Sequence, residues 1–313
     1  MKTVFMFSGQ GAQYAGMGKD FYQNYPVAKE VFDRADEVLG YSIKDICFEN
    51  EEKLNDTEFA QPAILTMSIA AMKVLEEEGV RADMTAGLSL GEYSAYVASG
   101  AMDFEEAVAL VQKRGKFMAE AVPSGEGAMY AIIGLDTELV EEACSEATAE
   151  GNGLAIPANY NAPGQIVIAG HTAAVARAAE LAKEKGAKMA VQLKVSGPFH
   201  TELLQPAADK LGPELDKMNI SPMKIPVYTN VNAQPVPSEN DIVPILKKQI
   251  ISPVRWENTI RNMAEQGADT FIELGPGKAL NGFVKRTLKG VVNVNVEDSS
   301  SLEKTMKKLN ESV

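Results

Sequence analysis

Gly87-Leu88-Ser89-Leu90-Gly91 sets one serine between two glycines. A short apolar run, Met84 to Leu88, leads into it, and apolar residues at helical spacing follow from Gly91 to Ala98. That strand-turn-helix setting is the one in which G-x-S-x-G acts as a nucleophile elbow. The glycines let the chain turn sharply, so the hydroxyl stands clear of the backbone. A helix N-terminus beside it favours developing negative charge. A serine capping an ordinary βα turn would present the same five residues.

A serine hydroxyl needs a base, because it is not ionised at neutral pH. The chain holds two histidines, His171 and His200. His171, in Ala169-Gly170-His171-Thr172, reads as a turn residue ahead of a helix. His200 ends Gly197-Pro198-Phe199-His200, where the chain returns from an inserted segment to the main domain. Clefts form at such junctions, so His200 is the better candidate. A triad would add an acid to orient the ring. The α/β-hydrolase order is serine, acid, then a late histidine, yet more than a hundred residues follow His200. A backbone carbonyl could orient the ring instead.

Two further glycine tracts lead elsewhere. Gly9-Gln10-Gly11-Ala12-Gln13-Tyr14 lacks the last glycine of a dinucleotide fingerprint and an acidic residue after a second strand. Gly275-Pro276-Gly277-Lys278-Ala279 lacks the upstream glycine and the hydroxyl residue of a P-loop. Cys47 and Cys144 match no metal or redox spacing and read as packing residues. No metal site is expected.

These residues need a scaffold. Strand-like and helix-like segments alternate almost throughout, the mark of an α/β protein. Lys2 to Phe7 reads as a buried strand, Val27 to Leu39 and Gln61 to Glu78 as helices, and Asp103 to Ala121 as a helix capped by Asp103. The middle runs strand (Gly127 to Ile133), helix (Thr137 to Ala149), strands Leu154 to Ala158 and Gln165 to Ala169, helix (Thr172 to Glu184) and strand (Lys188 to Leu193). Asn159 to Gly164 reads as the turn between the paired strands. The order βαββαβ is that of a ferredoxin-like unit. The expected fold is therefore α/β: a mainly parallel-sheet, hydrolase-like large domain (residues 1–124 and 196–313) interrupted by a ferredoxin-like subdomain (125–195). Helix Thr201 to Met218, strand Ile225 to Tyr228, helices Ile242 to Ile250 and Arg255 to Gln266, strand Thr270 to Leu274, helix Ala279 to Leu288, strand Val291 to Val296 and a last helix from Leu302 complete it.

With 313 residues the chain can bury a full core. Its apolar runs are too short and broken to span a bilayer, and the amino terminus lacks the long apolar core of a signal peptide. A cytoplasmic protein is expected, and nothing demands a partner subunit, so a monomer is expected. The net charge of -13 repels nucleic acid and anionic membranes. Against that balance, Gly275 to Gly290 carries Lys278, Lys285, Arg286 and Lys289 and no acid. A solvated helix face would look the same.

Five tracts, in order, resemble the malonyl-CoA:acyl carrier protein transacylases of fatty-acid synthesis. They are Ser8-Gly9-Gln10-Gly11-Ala12-Gln13, Gln61-Pro62-Ala63, Gly87-Leu88-Ser89-Leu90-Gly91-Glu92-Tyr93-Ser94-Ala95, Gln112-Lys113-Arg114-Gly115 and Gly197-Pro198-Phe199-His200. The resemblance spans residue 3 to about 297 and includes the ferredoxin-like insert. It implies Ser89 as nucleophile and His200 as its base, with the backbone carbonyl of Gln249 orienting the ring. It implies an oxyanion hole from the N–H groups of Gln10 and Leu90. Arg114 would grip the malonyl carboxylate in a bidentate pair that lysine could not copy, with Gln61 nearby. Phe199 fits the malonyl-selecting form of its motif, worth about 1 to 3 kcal/mol against an extra methyl group. Leu88 stands where many members have histidine, though leucine also occurs. The implied reaction is ping-pong, from malonyl-CoA to Ser89 to the phosphopantetheine thiol of an acidic acyl carrier protein, with no bound cofactor. Lys285, Arg286 and Lys289 become candidates for carrier docking.

Two rivals share the same residues. A serine thioesterase or other hydrolase would let water attack the acyl-enzyme, but Arg114 would be awkward for a neutral fatty chain. A silent carrier-binding module would have no use for Ser89, His200 and Arg114 together.

Overall fold

The computed structural model describes residues 1–195 and 197–311. Residue 196, where the expected domain boundary falls, and residues 312 and 313 lie outside the described residues.

Strand β1 (Thr3–Phe7) is buried at all five positions, as a run of Thr, Val, Phe and Met needs in a sheet covered on both faces. It is the centre of a five-stranded sheet with β2 (Met84–Gly87), β7 (Val227–Tyr228), β8 (Thr270–Leu274) and β9 (Val292–Val296), in the order β7-β2-β1-β8-β9. All its pairings are parallel. The register sets Phe7 beside both Gly87 and Leu274, so three strands end level. The loops that follow, from Ser8, Leu88 and Gly275, therefore leave from one edge. The carboxyl edge is where parallel sheets build their sites.

Residues 127–192 form a second sheet from β3 (Gly127–Ile133), β4 (Ala155–Ala162), β5 (Gln165–His171) and β6 (Met189–Gln192), antiparallel in the order β4-β5-β3-β6. Its strands obey the period of two. Ile166 and Ile168 pack with helices Thr137–Ala149 and Thr172–Glu184 in a core of their own, while Val167 turns to the opposite face. The sheet is stitched to the large body: the Tyr160 N–H donates to the Val254 carbonyl at 2.8 Å, and the Val254 N–H to that of Ala158 at 2.8 Å.

Asn159 to Ala162 is strand, not turn, leaving Pro163-Gly164 as the whole connection. Register shifts between Pro157 and Asn159 and between Tyr160 and Ala162 absorb the irregular residues, and the Val254 bridge holds the bulged strand. The segment expected as one helix from Thr201 is a 3₁₀ turn, Glu202–Leu204, and then a helix, Gln205–Leu215. Pro206 falls in the helix's first turn, where its missing N–H costs nothing. Short helices Lys19–Asn24, Ile43–Glu49 and Glu51–Leu54 were not anticipated.

Helix Thr57–Glu77 is buried along most of its length and packs against helix Phe104–Glu120. At their crossing a Cβ on Gly115 would lie 2.3 Å from the Thr57 carbonyl oxygen. Only glycine permits that approach, and it brings the neighbouring Arg114 within reach of Gln61.

Candidate active site

The elbow at Ser89 is built by close backbone contact. A Cβ on Gly87 would stand 1.9 Å from the Gly91 carbonyl carbon, and one on Gly91 would stand 2.2 Å from the Phe7 carbonyl oxygen. With both positions bare, the chain turns from β2 into helix Gly91–Ala98 through a left-handed Ser89, φ 55°. His200 is also left-handed, at φ 60°. Such conformations are costly for residues with a Cβ and collect where function requires them.

These two strained residues face each other. Ser89 Oγ lies 2.7 Å from His200 Nε2. His200 Nδ1 lies 3.1 Å from the Gln249 carbonyl oxygen and 3.2 Å from that of Ser252. Both are acceptors only, so the Nδ1 nitrogen carries the proton and Nε2 offers a lone pair to the serine. Burial, and then the nearby Arg114 charge, push the His200 pKa down to about 4. The imidazole is thus neutral and able to accept a proton at physiological pH.

Arg114 is wholly buried yet has no carboxylate within ion-pair distance among the described residues. Its Nη1 donates to Gln61 Oε1 at 2.8 Å, and its Nη2 to Gln249 Oε1 at 3.1 Å and to Ser89 Oγ at 3.4 Å. The last contact aims the guanidinium at the serine. Its Nε finds no acceptor among the described residues. The cation rests over the Tyr93 ring, 5.3 Å from the centroid, which repays part of the desolvation. Burial works against the charge and lowers the Arg114 pKa. A buried cation beside a serine, with neutral hydrogen-bond partners, is suited to bind an anion.

The N–H groups of Gln10 and Leu90 make no hydrogen bond among the described residues, and both residues line the cleft around Ser89. The Gln10 side chain is tied down by its Nε2, which donates to Thr57 Oγ1 at 3.0 Å. The cleft, about 270 Å³, lies between the carboxyl edge of the parallel sheet and the small sheet. Phe199, 6% exposed, forms part of its wall. Seven candidate residues therefore meet here: Ser89, His200, Gln10, Leu90, Arg114, Gln61 and Phe199. Gln249 adjoins them.

Lys285, Arg286 and Lys289 do not enter the cleft. They are exposed on and just beyond helix Ala279–Thr287, whose inner residues Leu280 and Phe283 line it. None takes part in an ion pair among the described residues. His171 is used elsewhere, its Nδ1 accepting the Leu154 N–H at 2.9 Å. Cys47 and Cys144 are buried and free, with the Cys144 thiol pushed up to about 12 by burial.

Several participants carried no legible signal. Asn230 Oδ1 accepts the Ser89 N–H at 2.7 Å, while its Nδ2 donates to the Gly87 carbonyl at 2.7 Å. Gln249 contributes its side chain as well as its carbonyl, Nε2 donating to the Ser89 carbonyl at 2.8 Å. Glu273, at the end of β8, accepts the Asn281 N–H at 2.8 Å and the Ser8 hydroxyl at 3.4 Å, joining two cleft loops. Glu92 lies in the elbow tract, three residues after Ser89, and is fully buried there.

The acyl transferase domain family matches residues 4–310. A malonyl CoA-acyl carrier protein transacylase of Bacillus subtilis is 49% identical over 311 residues, covering 99% of this chain and 98% of its own. The crystal structure of a malonyl CoA-acyl carrier protein transacylase from Clostridium perfringens superposes with a TM-score of 0.95 at 49% identity, covering 100% and 98%. A malonyl-transacylase solved in complex with a type II PKS acyl-carrier protein gives a TM-score of 0.94 at 42% identity, covering 98% and 99%.

Proposed function

Because the chain belongs to the malonyl CoA-acyl carrier protein transacylases of the acyl transferase family, we propose that it carries malonyl groups from coenzyme A to an acyl carrier protein through an ester on Ser89. The observation that carries the residue assignment is Arg114, a fully buried cation with no carboxylate at ion-pair distance among the described residues, 3.4 Å from a serine hydroxyl that is itself 2.7 Å from a histidine.

In the proposed first half-reaction the malonyl carboxylate pairs with Arg114, which sets the thioester carbonyl beside Ser89. His200 Nε2 takes the hydroxyl proton as Oγ attacks the carbonyl carbon. The Gln10 and Leu90 N–H groups receive the oxyanion. As the carbon–sulfur bond breaks, His200 returns the proton to the coenzyme A thiolate, leaving malonyl-Ser89. In the second half the carrier's phosphopantetheine thiol gives its proton to His200 and attacks the ester. Ser89 leaves and recovers the proton. The Gln249 carbonyl keeps the imidazole in the useful tautomer throughout. Gln61 steadies Arg114, and Phe199 narrows the acyl site. Coenzyme A thioester and carrier phosphopantetheine enter as substrates, and no further group is used in these steps.

The proposed domain division is a hydrolase-like catalytic domain (1–124 with 196–313) and a ferredoxin-like subdomain (125–195). The observed βαββαβ order and the β4-β5-β3-β6 sheet support the second assignment. Lys285, Arg286 and Lys289 form the proposed docking face for an acidic carrier, supported by their exposure, by the absence of an ion pair at any of them among the described residues, and by the cleft-lining Leu280 and Phe283 of the same helix. No helix of the described residues is long and apolar enough to cross a membrane. The proposed setting is cytoplasmic supply of malonyl units to fatty-acid synthesis.

The test is the fate of the acyl group. Malonyl-CoA with holo-carrier should give malonyl-carrier and one released coenzyme A thiol per transfer, with little free malonate. Free malonate forming at the same rate with or without carrier would assign the chain to the hydrolases instead.

A further inference from the structure

Glu92 is fully buried three residues after the nucleophile, yet it does not reach the cleft. A buried carboxylate is costly unless it is well supplied with donors. Here three converge: the Asn230 N–H at 3.0 Å and Gln249 Nε2 at 3.1 Å on Oε2, and the Tyr96 hydroxyl at 3.1 Å on Oε1. Two of these donors belong to residues that grip the elbow. Asn230 accepts the N–H of Ser89 and donates to the carbonyl of Gly87. Gln249 donates to the carbonyl of Ser89, accepts from Arg114, and presents its own carbonyl to His200.

We propose that Glu92 is a positioning residue for acyl transfer: through Asn230 and Gln249 it holds the strained Ser89 peptide units and the Arg114 guanidinium in register with His200. It touches neither substrate nor reacting atoms. An amide there would keep one oxygen for Asn230 and Gln249 but lose the charge, and its nitrogen would meet the Tyr96 hydroxyl, which would have to turn from donor to acceptor. The Glu92 charge also gives Arg114 a counter-charge one residue removed, through the Gln249 amide. The charged and titratable groups facing it are Arg114, Tyr93 and Tyr96. Burial pushes the Glu92 pKa up to about 7, and the three donors oppose that rise. The inference rests on the reading of Ser89 as the acylated residue.

The test is a double-mutant cycle on single-turnover acylation of Ser89 at saturating malonyl-CoA, followed by intact mass. Glu92→Gln should slow acylation about tenfold or more, since it removes a charged acceptor shared by three donors. In a Gln249→Met background, which keeps the carbonyl to His200, the same change should cost about threefold or less. Additive losses would show that Glu92 does not act through Gln249 and would overturn the proposal. Tyr96→Phe removes one donor with little risk to folding and should slow acylation about twofold to fivefold. If Glu92→Gln does not fold, that variant decides, and a wild-type rate in it overturns the proposal. Failure of the wild-type chain to acylate would instead refute the reading of Ser89.

Discussion

Replacing Arg114 by methionine should invert the acyl preference of the protein. Methionine keeps much of the aliphatic volume against Tyr93 and removes the charge and the fork. In the structure Arg114 donates to the neutral side chains of Gln61, Gln249 and Ser89, and no carboxylate lies within ion-pair distance of it among the described residues. Losing one member of a buried, hydrogen-bonded charge pair costs about 2 to 5 kcal/mol, a factor of about 30 to 5,000 in kcat/KM. The 3.4 Å contact from Arg114 to Ser89 Oγ adds a loss common to every acyl group. The quantity to read is therefore the ratio of kcat/KM for malonyl-CoA to that for acetyl-CoA, in which the common loss cancels. Steady-state release of coenzyme A thiol to a saturating carrier gives both constants. The ratio should fall by at least about 30-fold, because acetyl-CoA bears only the common loss. Arg114→Lys should fall in between, since lysine keeps the charge without the fork. If both substrates lose equally, Arg114 supports the fold of the site and does not bind the carboxylate.

Four further outcomes follow from the geometry. Since His200 must be neutral to take the Ser89 proton and its pKa is held near 4, His200 should leave acylation flat from pH 5 to 8, with a fall of about tenfold per pH unit below about 4; a His200 limb near 6.5, followed by NMR titration of the ring, would contradict the burial argument. The same shift makes acid work against the fold at His200: its stabilisation is full above pH 6.5, and about 3 kcal/mol should be lost between pH 6.5 and 4 as the unfolded chain takes up the proton first. The raised Glu92 and Glu273 carboxyls act in the opposite sense, so the quantity to read is the pH dependence of the urea midpoint relative to His200→Gln. Gly87→Ala forces a Cβ against backbone at 1.9 Å and should cost about 3 kcal/mol or more, whereas an unchanged urea midpoint would count against the elbow's packing. Charge reversal at Lys285, Arg286 and Lys289 should raise the carrier KM about tenfold at low salt and leave transfer to free pantetheine unchanged; an unchanged carrier KM would remove that face from the account.

Local pattern carried most of the scaffold. Helices Gly91–Ala98, Thr137–Ala149 and Thr172–Glu184, and strands Gly127–Ile133 and Thr270–Leu274, coincide with their sequence-based expectations. Each has its period, cap or apolar run within a few residues. The helices at Lys19, Ile43 and Glu51 span seven residues or fewer, too short to form without tertiary support. The second half of β4 reads as a turn because Asn159 and Asn161 lead into Pro163-Gly164, and its pairing with β5 and the bridge to distant Val254 make it strand. The site divides in the same way. Ser89, His200 and Arg114 lay in recognisable tracts. Asn230 and Ser252 reach the dyad from distant stretches of chain, through contacts that exist only once the parallel sheet is closed. Glu92 was in view as a letter of the elbow tract, but nothing local marks a glutamate as buried.

Intact-protein mass after brief exposure to malonyl-CoA, beside a Ser89→Ala control, tests the central claim most directly. The account predicts a gain of one malonyl group, absent in the control and discharged by carrier thiol. An unmodified wild-type chain, or an adduct that persists in Ser89→Ala, would contradict it.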